Sequence, residues 1–423
     1  MSKISFPKDF LFGVATASHQ IEGNNHKNDW WEFEKAGKIK DGSTSDQGPQ
    51  SLKFFEEDLK LLKKLNVNAY RFSISWSRVN PSKNTWSKEG FEYYHKVLES
   101  LNENGIEPFV TLHHITLPIW IARNGGWHNS SNIKWYCRYV EKVMEELGDK
   151  AKYWITINEP ETIIFVGYLM GYFPPEKKNP FLAYKSLKNI ILAHKRAYKI
   201  IHENSPKNKV TMVQIIPCIE PLDETIVNKK IARNFEAVFF KLFVDPVVEK
   251  CDYLGLDYYM RLNLGIERNV NREGKMGLPN LNLPSFIPFN LDMDYEKGCE
   301  YSGDWFQGAY PQGLSKIIQK LSKYNIPIII TENGISDKED RYRKRFITDH
   351  LSEIHKMIKR GVDVKGYLYW TLVDNFEWRE GFNEKFGLGY IKNENGVPKR
   401  YLKDSGKYYS KICKNRGFDF EKK

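Results

Sequence analysis

Short apolar runs alternate with amphipathic stretches along the whole chain. Most of these runs are continuously apolar, which is typical of parallel strands buried on both faces. The stretches between them have apolar residues at helical spacing, for example Phe55, Leu59 and Leu62. The predicted strands are Phe10–Thr16, Ala69–Ser75, Glu107–His114, Tyr153–Asn158, Val210–Ile216, Tyr253–Tyr259, Ile326–Glu332 and Lys365–Leu372.

Eight strands separated by seven helical stretches predict an α/β protein with the architecture of a single (β/α)8 TIM barrel. The length of 423 residues suits such a barrel with insertions. The sequence has no fixed-period repeat, no Gly/Ser-rich linker and no low-complexity segment, so we expect one domain over residues 1–423. Its longest irregular stretch, about 260–306, is predicted to be a loop insertion after the sixth strand.

The composition narrows the possible partners and location. The net charge is +11, but basic and acidic residues are interleaved and no block of five like charges occurs. This pattern favours a solvated surface over nucleic-acid binding. The N-terminus lacks the apolar core of a signal peptide, and no run reaches the ~18 apolar residues of a membrane span. We therefore expect a cytoplasmic protein without a transmembrane segment; the sequence does not indicate its oligomeric state.

The five cysteines are widely spaced and form no CxxC pair. Such spacing favours reduced thiols over a disulfide framework or a structural zinc site.

Polar residues stand at the C-terminal ends of five predicted strands. All strand C-termini of a (β/α)8 barrel open on one mouth, so these residues are expected to converge on a single pocket. They are His113 and His114, Asn158 and Glu159, Asp257 and Tyr259, Glu332 and Asn333, and Asp374, Asn375 and Glu377.

Glu159 and Glu332 each end an apolar run beside an asparagine. Cleavage of a glycosidic bond needs two carboxyl groups, one that donates a proton and one that attacks carbon or activates water. Arg71 is a charge inside an apolar strand and needs a carboxylate partner. Pairing with Glu332 would keep that carboxyl group ionised, whereas Glu159 has no evident cation and could keep its proton. The alternative is that both carboxylates only cap strands.

The adjacent His113 and His114 raise the possibility of a metal site. Neighbouring strand residues point to opposite faces, whereas a metal-dependent hydrolase would be expected to have His-x-His. We therefore expect no metal or other cofactor, with His113 as a ligand of a sugar hydroxyl, His114 as a packed neighbour and His194 in a structural role. Three aromatic residues are equally compatible with core packing and with stacking on a sugar ring: Trp370, Trp378 and Phe386.

Five motifs together resemble glycoside hydrolase family 1, the family of β-glucosidases and β-galactosidases. The resemblance covers about Phe6 to Lys407, almost the whole chain. The motifs are residues 10–23 (FLFGVATASHQIEG), 70–78 (YRFSISWSR), 156–160 (TINEP), 330–334 (ITENG) and 374–378 (DNFEW).

The resemblance implies a retaining exo-hydrolase of terminal β-glucosyl residues, also active on β-galactosyl or β-fucosyl residues, with small-molecule β-glycosides as substrates. Glu159 would be the acid/base and Glu332 the nucleophile of a double displacement. Asn158 would contact the sugar 2-hydroxyl, and Tyr259 would hydrogen-bond the nucleophile beside Arg71. The other implied sugar-binding residues are Gln20, His113, Trp370, Glu377 and Trp378.

Three positions depart from the family pattern. The family usually has asparagine where this chain has Asp257, and many members have tryptophan at His114. Gln307 stands where a tryptophan is usual. Asp257 is expected to change the charge around Tyr259 and Glu332, and the other two are expected to affect contacts with the aglycone.

Two other functions are compatible with a sugar-binding barrel of this kind. A 6-phospho-β-glycosidase would need Ser and Lys near Glu377 and Trp378, and an anionic Glu377 would repel a phosphate. A non-catalytic sugar-binding barrel would not need both Glu159 and Glu332. The choice among glucose, galactose, fucose and mannose is left open.

The predicted loop insertion is unusually apolar between residues 277 and 293. A loop in contact with water alone would not need so many apolar side chains. Two interpretations stay open: the segment packs on the barrel's own surface, or it walls the aglycone site.

Overall fold

Eight parallel strands close into a barrel, which confirms the predicted (β/α)8 architecture. The structure is a computed structural model that describes residues 2–265, 292–294, 301, 303 and 308–420. The apolar segment 277–291 therefore lies outside the described residues. The barrel strands are β1 (Leu11–Ala15), β2 (Ala69–Ser73), β3 (Glu107–Thr111), β4 (Tyr153–Asn158), β5 (Lys209–Ile215), β6 (Leu254–Asp257), β7 (Ile328–Glu332) and β8 (Val364–Trp370).

One long helix follows each barrel strand along the chain. The first of them buries Phe55, Leu59 and Leu62 against the barrel, as their spacing predicts. The helices are α1 (Ser51–Leu65), α2 (Lys88–Glu103), α3 (Asn132–Leu147), α4 (Pro180–Asn204), α5 (Ile226–Phe239), α6 (Pro311–Leu321), α7 (Arg343–Lys359) and α8 (Asp404–Asn415).

Shorter helical segments lie in the connections between these elements. They are Ser18–Ile21, Asp29–Lys35, Ser45–Gln47, Trp76–Val79, Ile119–Arg123, Gly126–His128, Pro160–Thr162, Ile163–Leu169, Phe240–Val244, Val248–Lys250, Ser322–Tyr324 and Trp378–Glu380.

Several observed strands are shorter than predicted, and the differences concentrate at the C-terminal ends. The third strand ends at Thr111, not at His114, and the sixth ends at Asp257, not at Tyr259. The register of β4 against β5 shifts between Ile155 and Asn158, and a similar shift occurs in β7 against β6 before Glu332. Such irregularities re-aim side chains, and they occur here at the two ends where the carboxylates stand.

Apolar side chains fill two layers of the barrel. The larger layer lies between strands and helices, and a smaller cluster that includes Phe109, Ile329 and Leu368 lies inside the ring of strands. The interior is tight at Gly13, where a Cβ would come within 2.4 Å of Leu368 and 2.6 Å of the carbonyl oxygen of Ala69. Because side chains fill this interior, we expect the binding site at the C-terminal mouth of the barrel.

Three small sheets supplement the barrel. The chain ends pair as antiparallel strands Ser2–Ser5 and Gly417–Phe420. A hairpin joins Gly389–Glu394 to Val397–Leu402. The third sheet is formed by Cys218–Pro221, Arg261–Gly265 and Asp292–Asp294.

Two further sequence expectations bear on the fold. The cysteines 137, 218, 251 and 413 are free thiols, while Cys299 lies outside the described residues. Over the described part of the chain, no helix combines the length and the apolar character needed to cross a membrane.

Candidate active site

The ends of four barrel strands bring the predicted catalytic side chains together. Glu159 follows β4 with a φ of 45°, a left-handed conformation that turns the chain into the short helix Pro160–Thr162. Residues other than glycine adopt this conformation at a cost, so the surrounding structure must hold it in place. Glu332 is the last residue of β7. The side chains are almost closed to solvent, with Glu159 7% and Glu332 4% exposed.

Glu332 is held by donors on both oxygens of its carboxyl group. The Nη1 of Arg71 donates to Oε1 at 2.7 Å, and the hydroxyl of Tyr259 donates to Oε2 at 2.8 Å. The structure thus forms the ion pair that the buried arginine required. Two fixed donors orient the carboxylate and restrict its rotation.

Arg71 is fully buried and contacts four strand ends at once. It donates to the Oγ1 of Thr111 at 3.2 Å, to the carbonyl oxygen of Thr331 at 3.1 Å and to Asp257 at 3.4 Å, and it also bonds the Oδ1 of Asn158. The guanidinium therefore ties β2 to the ends of β3, β4, β6 and β7. Its five donors make this possible, whereas a lysine has three donors around a single point.

Three carboxyl groups lie close together at the mouth. Oxygens of Glu159, Asp257 and Glu332 lie within 4.8 Å of one another. Glu159 accepts a hydrogen bond from the Oγ1 of Thr162 at 2.7 Å. Such an acidic trio could ligate a cation, but the guanidinium of Arg71 already contacts two of its members.

Burial dominates the ionisation of this cluster. It raises the pKa of Glu159 well above the usual range, and the charge of Asp257 raises it further. Burial and Asp257 also raise the pKa of Glu332, against the opposite effects of Arg71 and Tyr259. The predicted pairing of Arg71 with Glu332 is present, and it lowers the pKa of Glu332 against this effect of burial. Because Arg71 and Tyr259 donate to Glu332, we assign the resting proton to Glu159.

Gln20 and His113 present buried polar atoms to the same region. The Nε2 of Gln20 donates to the carbonyl oxygen of Phe376 at 2.8 Å. Its Oε1 and both ring nitrogens of His113 have no hydrogen-bond partner among the described residues. Burial lowers the pKa of His113 to about 3, so its ring is neutral. Buried polar atoms of this kind are costly unless a ligand satisfies them.

Trp370 and Glu377 form another part of the site, next to Gln20. The indole Nε1 of Trp370 donates to the Oε1 of Glu377 at 3.1 Å. Burial raises the pKa of Glu377 to about 8. Glu377 is therefore neutral at neutral pH, not anionic as predicted from the sequence, because a desolvated carboxyl group keeps its proton.

His114 packs between two tryptophans. Its ring is nearly parallel to those of Trp370 and Trp378, with centroids 6.0 Å away in each case. Its Nε2 is 3.5 Å from the Nδ2 of Asn158. His114 is therefore packed, as expected, but it also belongs to the wall of the site. Phe386 is buried and meets the ring of Tyr259 edge-on at 6.3 Å.

His194 lies apart from this group. It is on α4, buried, with its Nδ1 2.8 Å from the hydroxyl of Thr156. Burial lowers its pKa to about 4. These contacts fit the structural role predicted for it.

Sequence reasoning missed two contacts of the site. Thr162 stands three residues after Glu159, a spacing that places both on one face of a helical turn and could have been noticed. The Oδ1 of Asn375 accepts from Gln20 at 3.3 Å, a contact across 355 residues that no local pattern reveals.

A cavity of about 380 Å³ borders these residues. Its lining includes Ile115, next to His114, Trp127, whose ring meets His113 at 5.2 Å, and Phe173, whose ring meets Trp378 at 6.4 Å. The catalytic carboxyl groups do not line this cavity, which adjoins the site through Trp127 and Phe173.

Comparisons with known proteins find relatives that match almost the whole chain. Beta-glucosidase A of Thermotoga maritima is 32% identical over 99% of this chain and 100% of its own length. Beta-glucosidase A of Acetivibrio thermocellus is 31% identical, also over 99% of this chain and 100% of its own length.

Solved structures are similar as well. A beta-glycosidase from Pyrococcus horikoshii superposes with a TM-score of 0.88 at 34% identity, covering 99% of this chain and 97% of that chain. A beta-glucosidase from Thermotoga maritima in complex with glucoimidazole has a TM-score of 0.87 at 30% identity, covering 98% of this chain and 100% of its own. The sequence model of the family described as "Glycosyl hydrolase family 1" matches residues 2–290 and 249–418, and the chain therefore belongs to glycosyl hydrolase family 1.

Proposed function

We propose that this protein is a retaining β-glucosidase that releases terminal β-glucosyl residues from small glycosides. The observation that supports this most directly is the short separation of Glu159 and Glu332, whose oxygens approach within 4.8 Å. Retaining enzymes have carboxyl groups about 5–5.5 Å apart, while inverting enzymes leave roughly 6.5–9.5 Å for a water molecule. The curated relatives named beta-glucosidase support the same activity.

The first step forms a covalent intermediate. A carboxylate oxygen of Glu332 attacks the anomeric carbon while the bond from that carbon to the aglycone oxygen breaks. The proton of Glu159 passes to the leaving oxygen. Arg71 and Tyr259 hold the nucleophile in line, so little orientation remains to be gained in the transition state.

The second step reverses these roles. Water attacks the anomeric carbon, its proton passes to Glu159, and Glu332 departs as a carboxylate. The product keeps the β configuration because two inversions occur at the same carbon.

The sugar is held by the polar walls described above. Gln20, His113 and Glu377 bind its hydroxyl groups, and Asn158 contacts the 2-hydroxyl. Trp370 stacks beneath the ring, and Trp378 completes the wall beside it. Phe386 packs behind Tyr259 and fixes the ring of that residue. A neutral Glu377 can both donate to and accept from a hydroxyl, which suits a neutral sugar.

The same residue types accept epimers of glucose, so activity on β-galactosides and β-fucosides belongs to the proposal. The cytoplasmic location and the treatment of residues 1–423 as one catalytic domain remain predictions.

A 6-phospho-β-glycosidase is disfavoured by the charges around Glu377. The charged neighbours that raise its pKa are Glu384 and Asp374, which are both acidic, and Asp374 also pairs with Lys403 at 2.8 Å. A phosphate placed here would meet negative charge. We expect kcat/KM for p-nitrophenyl β-glucoside to be higher than kcat/KM for its 6-phosphate by orders of magnitude. The reverse order would favour the phosphorylated substrate.

The stereochemistry of the first product tests the mechanism. Proton NMR of a p-nitrophenyl β-glucoside reaction should show β-glucose first, with α-glucose appearing only at the rate of mutarotation. Initial α-glucose would mean inversion and would overturn the double displacement. No turnover of any aryl β-glycoside would instead favour a non-catalytic sugar-binding barrel.

A further inference from the structure

Asp257 places a third carboxyl group in the catalytic cluster, at a position where the family usually has asparagine. It is the last residue of β6 and has no exposed surface. Its Oδ1 accepts from the hydroxyl of Thr331 at 2.6 Å and from the Nη1 of Arg71 at 3.4 Å. Asparagine could accept the same two bonds through its amide oxygen, so they do not require an acid.

The second oxygen, Oδ2, makes the difference between aspartate and asparagine. It has no hydrogen-bond partner among the described residues, and an oxygen of Asp257 lies within 4.8 Å of an oxygen of Glu159. Two carboxyl oxygens can hydrogen-bond only if one of them is protonated. The charged and titratable groups that act on this pair from the surrounding elements are Arg71, Glu159, Glu161, Tyr259 and Glu332.

We propose that Asp257 is ionised in the resting enzyme and is a positioning residue that holds the catalytic proton on Glu159. Thr331 and Arg71 both donate to Asp257, which favours its anion over that of Glu159. Among the described side chains, Thr162 donates to Glu159. The Glu159 proton then faces Oδ2 until a glycosidic oxygen takes its place. This inference rests on the acid/base role proposed for Glu159.

The extra charge affects both steps of the reaction. When Glu332 becomes an ester, its negative charge disappears and a carboxyl group beside it becomes a weaker base. The anion of Asp257 remains in that intermediate and keeps Glu159 a stronger base for the attacking water. It also raises the pKa of Glu332 in the free enzyme, so activity begins at a higher pH than it would beside asparagine.

The test is the pH profile of kcat/KM for p-nitrophenyl β-glucoside with wild type and Asp257→Asn. We expect both limbs of the Asp257→Asn profile to move to lower pH by about one unit or more. The acidic limb follows Glu332 and the basic limb follows Glu159, and loss of a nearby negative charge lowers both pKa values. A 2,4-dinitrophenyl glucoside, whose leaving group needs no acid, should keep only the acidic limb and so identify it.

Asp252→Asn is the control, because Asp252 precedes β6 at the N-terminal end of the barrel, where it accepts from the backbone amide of Val210 at 2.8 Å. Its profile should coincide with that of wild type. Thr331→Val removes the 2.6 Å hydroxyl donor of Asp257 but keeps its charge, so it should move the acidic limb by less than Asp257→Asn does.

Two results would overturn the proposal. An Asp257→Asn profile that coincides with wild type would mean that Asp257 is neutral. A uniform loss of kcat/KM without displacement along the pH axis would leave only a structural role. The first product anomer, measured by NMR on the same samples, tests the double displacement separately, so failure of one proposal does not imply failure of the other.

Discussion

At the scale of single residues, Arg71 is the group on which the site depends. The guanidinium is fully buried, and it contacts Asn158, Asp257 and Glu332 together. The sequence indicates its need for a carboxylate partner, because a charge stands inside an apolar run. The number of partners follows only from the barrel, which places four strand ends around one side chain.

The two glutamates should give different phenotypes when changed. Glu332→Gln should abolish turnover of every substrate, because an amide oxygen is too weak a nucleophile to form the intermediate. Glu159→Ala should keep measurable turnover of dinitrophenyl glucosides, and azide should restore rate and yield a β-glucosyl azide. Steady-state kinetics and NMR of the product check both. An α-azide, or equal losses for good and poor leaving groups, would contradict the assignment of Glu159.

At the scale of elements, a buried ion pair connects α1 to the hairpin of strands Gly389–Glu394 and Val397–Leu402. The Nε of Arg400 donates to Asp58 at 2.8 Å, and the two side chains are 0% and 1% exposed. Arg400 also donates to the carbonyl oxygen of Pro49 at 2.7 Å. Burial raises the pKa of Asp58 even beside this arginine. Loss of the arginine would leave an uncompensated buried acid.

Arg400→Met should therefore lower the free energy of unfolding by about 3–5 kcal/mol. The double variant Arg400→Met with Asp58→Leu should recover a large part of this loss, because no unpaired charge remains. Urea unfolding at pH 7 measures both. Lys407→Met is the matched control, since its ion pair with Asp404 is largely exposed and should contribute little. A double variant as unstable as the single one would show that packing, not charge, decides the loss.

At the scale of the whole molecule, we expect one end of the barrel to stabilise the fold and the other to carry out catalysis. Phe6 lies at the N-terminal end, with ring centroids 4.7 Å from Phe10 and 5.3 Å from Phe12. Gln20 lies at the mouth with the carboxylates. In (β/α)8 barrels the N-terminal face stabilises the fold and the C-terminal face holds the chemistry.

Phe6→Ala should lower the free energy of unfolding by about 3–5 kcal/mol and leave kcat/KM unchanged at a temperature where the variant is folded. Gln20→Ala should show the opposite pattern, with a loss of roughly tenfold or more in kcat/KM, equivalent to about 1.4 kcal/mol, and little change in unfolding. Urea unfolding and aryl glucoside kinetics, measured on both variants, compare them directly. A large kinetic effect of Phe6→Ala would contradict this separation.

The amino-acid sequence was enough to predict the order of the eight strands, their alternation with helices and the candidate residues at the strand ends. It could do so because burial on both faces makes each parallel strand apolar, and a polar residue at its end is then conspicuous. The ends of the strands are harder to predict, because hydrophobicity does not show where a strand stops pairing with its neighbour. The strand predicted through His114 ends at Thr111 for this reason.

Which of these residues meet depends on how the strands and helices pack together. Asp257 stands 98 positions from Glu159 and 75 from Glu332, yet oxygens of all three lie within 4.8 Å. His114 packs between Trp370 and Trp378, which are more than 250 positions away. Periodicity reports how one segment is buried, whereas these contacts depend on the register of paired strands and on closure of the barrel. The desolvation that raises the pKa values of the carboxyl groups arises in the same way, since a side chain is buried by neighbours that the fold supplies.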